Sequence, residues 1–177
     1  PLIRALLLRY PALPLTVTCF TPTGSARIKA VFATQVVHVY QPLDLPGCVR
    51  RFFRHMRPRL LIIMETEIWP NLYQAAAQRH IPLLLANARI SDRSFPRFRR
   101  MRRLIGEPLQ QVSEIAAQSH SDAERFAALG ANPAGAQTHP RISVYQLTAT
   151  EWINLSGPSG PYSGVATVDG MTLNCWN

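Results

Sequence analysis

Two hydrophobic rhythms alternate along the first 130 or so residues: short unbroken apolar runs, and stretches with apolar residues three or four apart. Leu2, Ile3, Leu6 and Leu7 share one face of a helix over residues 1–11. Leu15–Phe20 reads as a strand, Thr21-Pro22-Thr23-Gly24 as a turn, and Ser25–Phe32 as a helix. Val36–Tyr40 is a strand, and Pro46–His55 a helix with proline in its first turn. Leu60–Met64 is an apolar run suited to a buried parallel strand, and a helix follows over Trp69–Arg79. His80-Ile81-Pro82 ends that helix; Leu83–Ala86 is the next strand. A helix opens near Ser91, and Glu114–Gln118 is a strand. Ser121-Asp122-Ala123-Glu124 has the form of a capping box for a helix stopping at Leu129-Gly130. This alternation predicts an α/β fold: a Rossmann-like parallel sheet with helices on both faces.

The helix after Ser91 places Phe98, Met101, Ile105, Leu109 and Val112 within about 80° of one another. Arg93, Arg97, Arg99, Arg100 and Arg103 spread over the opposite side, and Gly106 and Pro108 predict a kink or split. Past Gln137 the periodicity ends. Residues 138–177 hold three prolines and four glycines but three charged side chains, so they read as an irregular tail. The expected division is a domain over 1–137 and a tail over 138–177. A shifted reading frame or a chimeric gene would give such a break.

Composition narrows the class. A chain of 177 residues can bury a real core, and no run nears the roughly 20 apolar residues of a membrane helix. Cys19, Cys48 and Cys175 are odd in number and widely spaced, which fits neither a zinc site nor a disulfide framework. His38, His55, His80, His120 and His139 lack metal-ligand spacing, so no metal or cofactor is expected. The net charge of +9 is concentrated: Arg50–Arg103 holds thirteen arginines against Glu65, Glu67 and Asp92. Such a field attracts phosphates or an anionic membrane surface. Nucleic acid is the weakest partner, because the basic stretch lacks interleaved aromatics for stacking.

The chemistry gathers where strands give way to helices, the edge at which open α/β sheets bind ligands. Thr21-Pro22-Thr23-Gly24, the pair Glu65 and Glu67, Asn87-Ala88-Arg89 with Ser91, and Gln118-Ser119 all fall there. Thr, Ser, Asn and Gly commonly serve as caps and turns. Two acids against a buried strand end need partners, and Arg89 could supply one, which would make the pair structural. Otherwise they suit sugar hydroxyls or proton transfer.

These clusters carry a resemblance. Thr21-Pro22-Thr23-Gly24, Val37-His38-Val39-Tyr40 with Pro42-Leu43-Asp44, Met64-Glu65-Thr66-Glu67-Ile68-Trp69-Pro70-Asn71, and Ala86-Asn87-Ala88-Arg89-Ile90-Ser91 stand in the order and spacing of a known family. They resemble the N-terminal domain of bacterial 3-deoxy-D-manno-octulosonic acid (Kdo) transferases, from Pro1 to about Gly135. The resemblance implies the N-terminal half of a GT-B fold, with two Rossmann-like domains flanking a cleft. It implies inverting, metal-independent transfer of Kdo from CMP-Kdo to a lipid A precursor, at the cytoplasmic face of the inner membrane.

Carried over residue by residue, Glu67, or Glu65 beside it, matches the family's second essential carboxylate. Thr21, Thr23, Gly24, Asn87, Arg89 and Ser91 match the acceptor side. Arg93, Arg97, Arg100 and Arg103 would meet the anionic membrane surface. The family's general-base glutamate, in a Gly-Glu pair before the first helix, is absent, as are the first strand and the donor domain. The implied behaviour is a transferase fragment inactive alone. The alternatives are a non-catalytic module binding phosphorylated glycolipid or anionic membrane, and another two-domain glycosyltransferase, against which the Glu-Thr-Glu-x-Trp-Pro-Asn string argues.

Overall fold

The computed structural model describes residues 2–131 and, beyond them, strands at 141–147, 152–154, 167–168 and 171–172. The chain forms two compact units, Pro1–Met56 and Arg57–Asn177.

The first unit runs α1 (Leu2–Arg9), β1 (Thr16–Cys19), α2 (Pro22–Phe32), β2 (Val37–Tyr40) and α3 (Pro46–Met56). β1 and β2 pair in parallel, Thr16 opposite Val37. Val49 and Phe53 of α3 are buried four residues apart, as one face of a helix requires. Helix α2 opens three residues before the expected Ser25, because Thr21 is its cap rather than part of a free turn. Thr21 Oγ1 accepts the Gly24 N–H at 3.0 Å, and Pro22 supplies a preset φ at the first helical position. Strand residue His38 ties the unit together. Its Nδ1 lies 2.9 Å from the Val17 carbonyl and its Nε2 2.8 Å from the hydroxyl of buried Ser25. A carbonyl only accepts, so Nδ1 carries the proton and Nε2 accepts from Ser25.

The second unit continues with β3 (Leu61–Met64), α4 (Pro70–Ala77), β4 (Leu83–Ala88), α5 (Phe95–Arg100), α6 (Arg102–Gln110), β5 (Glu114–Ala117) and α7 (His120–Leu129). Then come β6 (Arg141–Leu147), β7 (Trp152–Asn154), β8 (Thr167–Val168) and β9 (Met171–Thr172). The sheet order is β3-β4-β5-β6-β7, parallel through β6, with β7 antiparallel to β6. β8 and β9 form a separate antiparallel pair. The parallel strands are therefore shared between two sheets. Of the tail expected to be irregular, the described part is these four strands, and β6 extends the parallel sheet.

The core of this unit follows the apolar runs. Leu83, Leu85 and Ile115 from β4 and β5 are fully buried, as are Tyr73, Leu109, Phe126 and Leu129 from the helices. The helix expected from Ser91 breaks at Met101, which caps both α5 and α6, while Gly106 and Pro108 lie within α6. Ile105 and Leu109 are buried but Met101 is exposed, so the apolar stripe read across the segment is not one continuous face.

Gly106 marks where α6 meets the end of α7. A Cβ there would stand 3.1 Å from the Leu129 carbonyl, and one on Gly130 would stand 3.3 Å from Gly106 Cα. Gly130 also has φ +120°, a conformation that side chains rarely adopt. Gly130→Ala should therefore cost about 1–2 kcal/mol. Urea unfolding would show this as a lower midpoint with an unchanged slope; an unaltered midpoint would contradict the packing argument.

Candidate functional site

In the second unit the ends of β3, β4 and β5 form one rim. β3 and β4 run in register to Met64 opposite Ala86. Glu65 is the next residue, and its N–H donates to the Ala86 carbonyl at 2.8 Å. Asn87 is its counterpart on β4, beside a register irregularity between Leu85 and Ala88. Both residues are left-handed, Glu65 with φ +60° and Asn87 with φ +56°. Asparagine tolerates that region; a glutamate there is uncommon and costs on the order of 1–2 kcal/mol. Non-glycine residues held this way on adjacent strands are the kind of strain that gathers at binding sites. A bulge also re-aims the side chain that it carries.

The loop from Glu65 to Trp69 is braced without consuming its acids. Glu65 and Glu67 are both exposed, and among the described residues neither forms an ion pair. The Trp69 indole N–H donates to Glu67 Oε2 at 3.1 Å, and the hydroxyl of buried Tyr73 donates to the Glu67 backbone carbonyl at 2.7 Å. Trp69 is extended at the start of α4, with Pro70 in the first helical position. The Thr66 hydroxyl donates to the Arg89 carbonyl. Arg89 thus meets this loop through its backbone, and the structural ion pair considered from sequence does not form among the described residues. The carboxylates keep oxygen lone pairs for a ligand.

The Asn87–Asp92 segment is held from β5 and α7. Gln118 Nε2 donates to Asn87 Oδ1 at 2.8 Å. Buried Asp122 accepts the Ile90 N–H at 2.8 Å and also the Ser119 hydroxyl. Arg125 donates to the Ile90 carbonyl and pairs with Asp92. Ser119 caps α7, its hydroxyl accepting the Asp122 N–H at 3.1 Å. The N-cap is therefore Ser119, with Asp122 three residues on accepting its hydroxyl, two residues before the expected Ser121 with Glu124. Ser91 is exposed, and its hydroxyl meets that of Ser94 at 2.6 Å.

The structure thus joins three of the four expected clusters: Glu65 with Glu67, Asn87 to Ser91, and Gln118 with Ser119. Thr21, Thr23 and Gly24 lie in the first unit, past the end of β1, where Thr21 and Gly24 form the α2 cap and Thr23 is exposed. Arg93, Arg97, Arg100 and Arg103 are exposed on and before α5 and α6. The roles of Thr66, Tyr73, Asp122 and Arg125 escaped the sequence reading. Of these, only Asp122, three residues after Ser119, leaves a local signal. Among the described residues no group of three or more His, Cys, Asp or Glu could hold a metal, and no helix is long and apolar enough to cross a membrane.

The rim offers acceptors on Glu65 and Glu67, an amide on Asn87 and a cation on Arg89. Comparison with known proteins gives this set a context. The family model described as 3-deoxy-D-manno-octulosonic-acid transferase (kdotransferase) matches residues 1–142. A 3-deoxy-D-manno-octulosonic acid transferase of Haemophilus influenzae is 47% identical over 130 residues, which is 73% of this chain and 30% of the relative. That of Bordetella pertussis is 35% identical over 137 residues, 75% of this chain and 32% of the relative. A probable mitochondrial one of Arabidopsis thaliana is 42% identical over 123 residues, 67% of this chain and 28% of the relative. The match thus spans about a third of each relative's length. With its Glu-Thr-Glu-Ile-Trp-Pro-Asn segment braced open at the rim and these relatives in view, the chain belongs to the 3-deoxy-D-manno-octulosonic acid transferase family.

Proposed function

We propose that this chain is the acceptor-binding part of a glycosyltransferase of lipopolysaccharide synthesis. In the longer enzyme it serves transfer of Kdo from CMP-Kdo to a lipid A precursor, with inversion at the anomeric carbon and without a bound metal. The observation that carries this reading is the exposed pair Glu65 and Glu67 on a loop whose backbone is fixed by Thr66, Tyr73 and the Ala86 carbonyl. A solvent-open carboxylate on a rigid, strained support suits hydroxyl recognition better than folding. Glu67, with Glu65 beside it, binds the acceptor or supports the catalytic base. Asn87, Arg89 and Ser91 complete the acceptor edge. For the first unit, the same reading proposes Thr21, Thr23 and Gly24 as acceptor-binding residues.

The domain implied runs from 1 to 137, and β6 from the following stretch, 138–177, adds a strand to its sheet. The arginines at 93, 97, 100 and 103 are solvent-exposed and suit a bilayer surface rich in anionic lipid or the phosphates of the precursor. The working location is then the cytoplasmic face of the bacterial inner membrane, held peripherally. A non-catalytic glycolipid-binding module is the second reading, favoured by the same arginines.

The Gly-Glu pair that supplies the family's base before its first helix is not in this sequence. The chain incubated with CMP-Kdo and a lipid A precursor should therefore bind the precursor and form no Kdo product. Turnover would overturn the assignment of the base outside this chain. Grafted in place of the matching segment of the Haemophilus influenzae enzyme, residues 1–131 should restore transfer. A graft that folds but transfers nothing, with or without intact glutamates, would favour the second reading.

A further inference from the structure

The amide of Asn87 is oriented by a second amide. Gln118 Nε2 lies 2.8 Å from Asn87 Oδ1 and 3.4 Å from the Asn87 backbone carbonyl. A backbone carbonyl only accepts, so the Gln118 nitrogen faces it as the donor. The same nitrogen therefore donates to Oδ1 and turns the Asn87 oxygen toward β5. Gln118 is anchored in turn, its own N–H donating to the Ala88 carbonyl at 2.9 Å. Among the described residues no acceptor meets Asn87 Nδ2. Glu65 directly follows β3, its N–H bonded to the carbonyl of Ala86, the residue before Asn87, and an ionised carboxylate only accepts.

Building on the acceptor-site reading above, we infer that Gln118 is a positioning residue that holds Asn87 as a hydrogen-bond donor beside the Glu65 acceptor. The pair then selects a saccharide hydroxyl, which donates its proton to Glu65 and accepts from Asn87 Nδ2. A hydroxyl is the group that satisfies both at once. An ionised phosphate oxygen only accepts, and an alkyl chain does neither.

Two measurements test this. In the ligand-free 15N-labelled chain, the Gln118 side-chain amide protons should exchange slowly and those of Asn87 quickly. Gln118→Glu places a carboxylate against two carbonyl oxygens, so the Asn87 amide should turn over and its Nδ2 protons become protected. Binding is then read by sedimentation with phosphatidylglycerol vesicles, with and without a lipid A precursor. Gln118→Glu should weaken precursor-dependent binding about tenfold and Gln118→Met by less, since the first reverses what Asn87 presents and the second only frees it. In an Asn87→Ala background Gln118→Glu should have no further effect. Fast exchange at Gln118 with protection at Asn87 in the native chain would overturn the inference, as would equal losses for the two Gln118 variants. Native binding no better with precursor than without it would remove the saccharide assignment and the acceptor reading together, while the exchange pattern would still decide whether Gln118 orients Asn87.

Discussion

Replacing Asp122 with alanine should destabilise the Arg57–Asn177 unit by about 2–4 kcal/mol. This carboxylate is buried and serves three groups: the Ile90 N–H, the Ser119 hydroxyl, and Arg125, 3.8 Å away. Alanine would leave a buried backbone N–H without an acceptor, at about 1–3 kcal/mol, and would strip the α7 cap of its reciprocal partner, at about 1 kcal/mol more. Asp122→Asn keeps an acceptor for Ile90 and should cost about 1 kcal/mol. Chemical unfolding of the two variants gives this ordering directly. Equal, small losses would mean that the Asn87–Asp92 segment is held by something other than α7. The same substitution should loosen the rim, because Ile90 is the anchor next to Arg89 and Ser91.

The strands and helices were legible because the buried strands of this chain are unbroken apolar runs. The expected Leu60–Met64 and Leu83–Ala86 lie between punctuating prolines and polar clusters and form as Leu61–Met64 and Leu83–Ala88, the second running two residues further so that Asn87 lies within the strand. Helix ends were less legible where two signals compete. Ser119 and Ser121 each precede an acid by three residues, and only the burial of Asp122 makes the first pair the cap. Thr21 could be a turn residue or a cap, and the hydrogen bond to Gly24 decides it. The break at Met101 is a tertiary choice: Ile105 and Leu109 go into the core while Met101 faces solvent.

For the site, residue types marked Glu65, Glu67 and Asn87 but could not show how they are held. Nothing in a sequence marks a left-handed glutamate. The brace from Thr66 to the Arg89 carbonyl and the one from Tyr73 to the Glu67 carbonyl both act on backbone oxygens, which every residue has. The division of the parallel strands between two sheets was likewise invisible, since βα alternation gives strand direction and not strand order.

The strongest effect on binding should come from removing both rim carboxylates. Glu65 and Glu67 are exposed, and neither is part of an ion pair among the described residues, so their loss should leave the fold intact. Each hydrogen bond from a ligand hydroxyl to a charged carboxylate contributes about 1.5–3 kcal/mol, so replacing both by glutamine should weaken binding on the order of a hundredfold. Glu65 adds a sharper contrast. Glycine at a left-handed position relieves the strain at Glu65 while giving the unfolded chain more freedom. Glu65→Gly should therefore hold or raise stability by up to about 1 kcal/mol while lowering affinity, the trade expected where strain is kept for function.

The measurement that bears most directly on the rim is the affinity of the Glu65→Gln, Glu67→Gln double variant for vesicles carrying a lipid A precursor, with its unfolding midpoint taken alongside. A loss on the order of a hundredfold with an unmoved midpoint is the predicted result. Undiminished binding by a folded double variant would show that the two acids face no ligand.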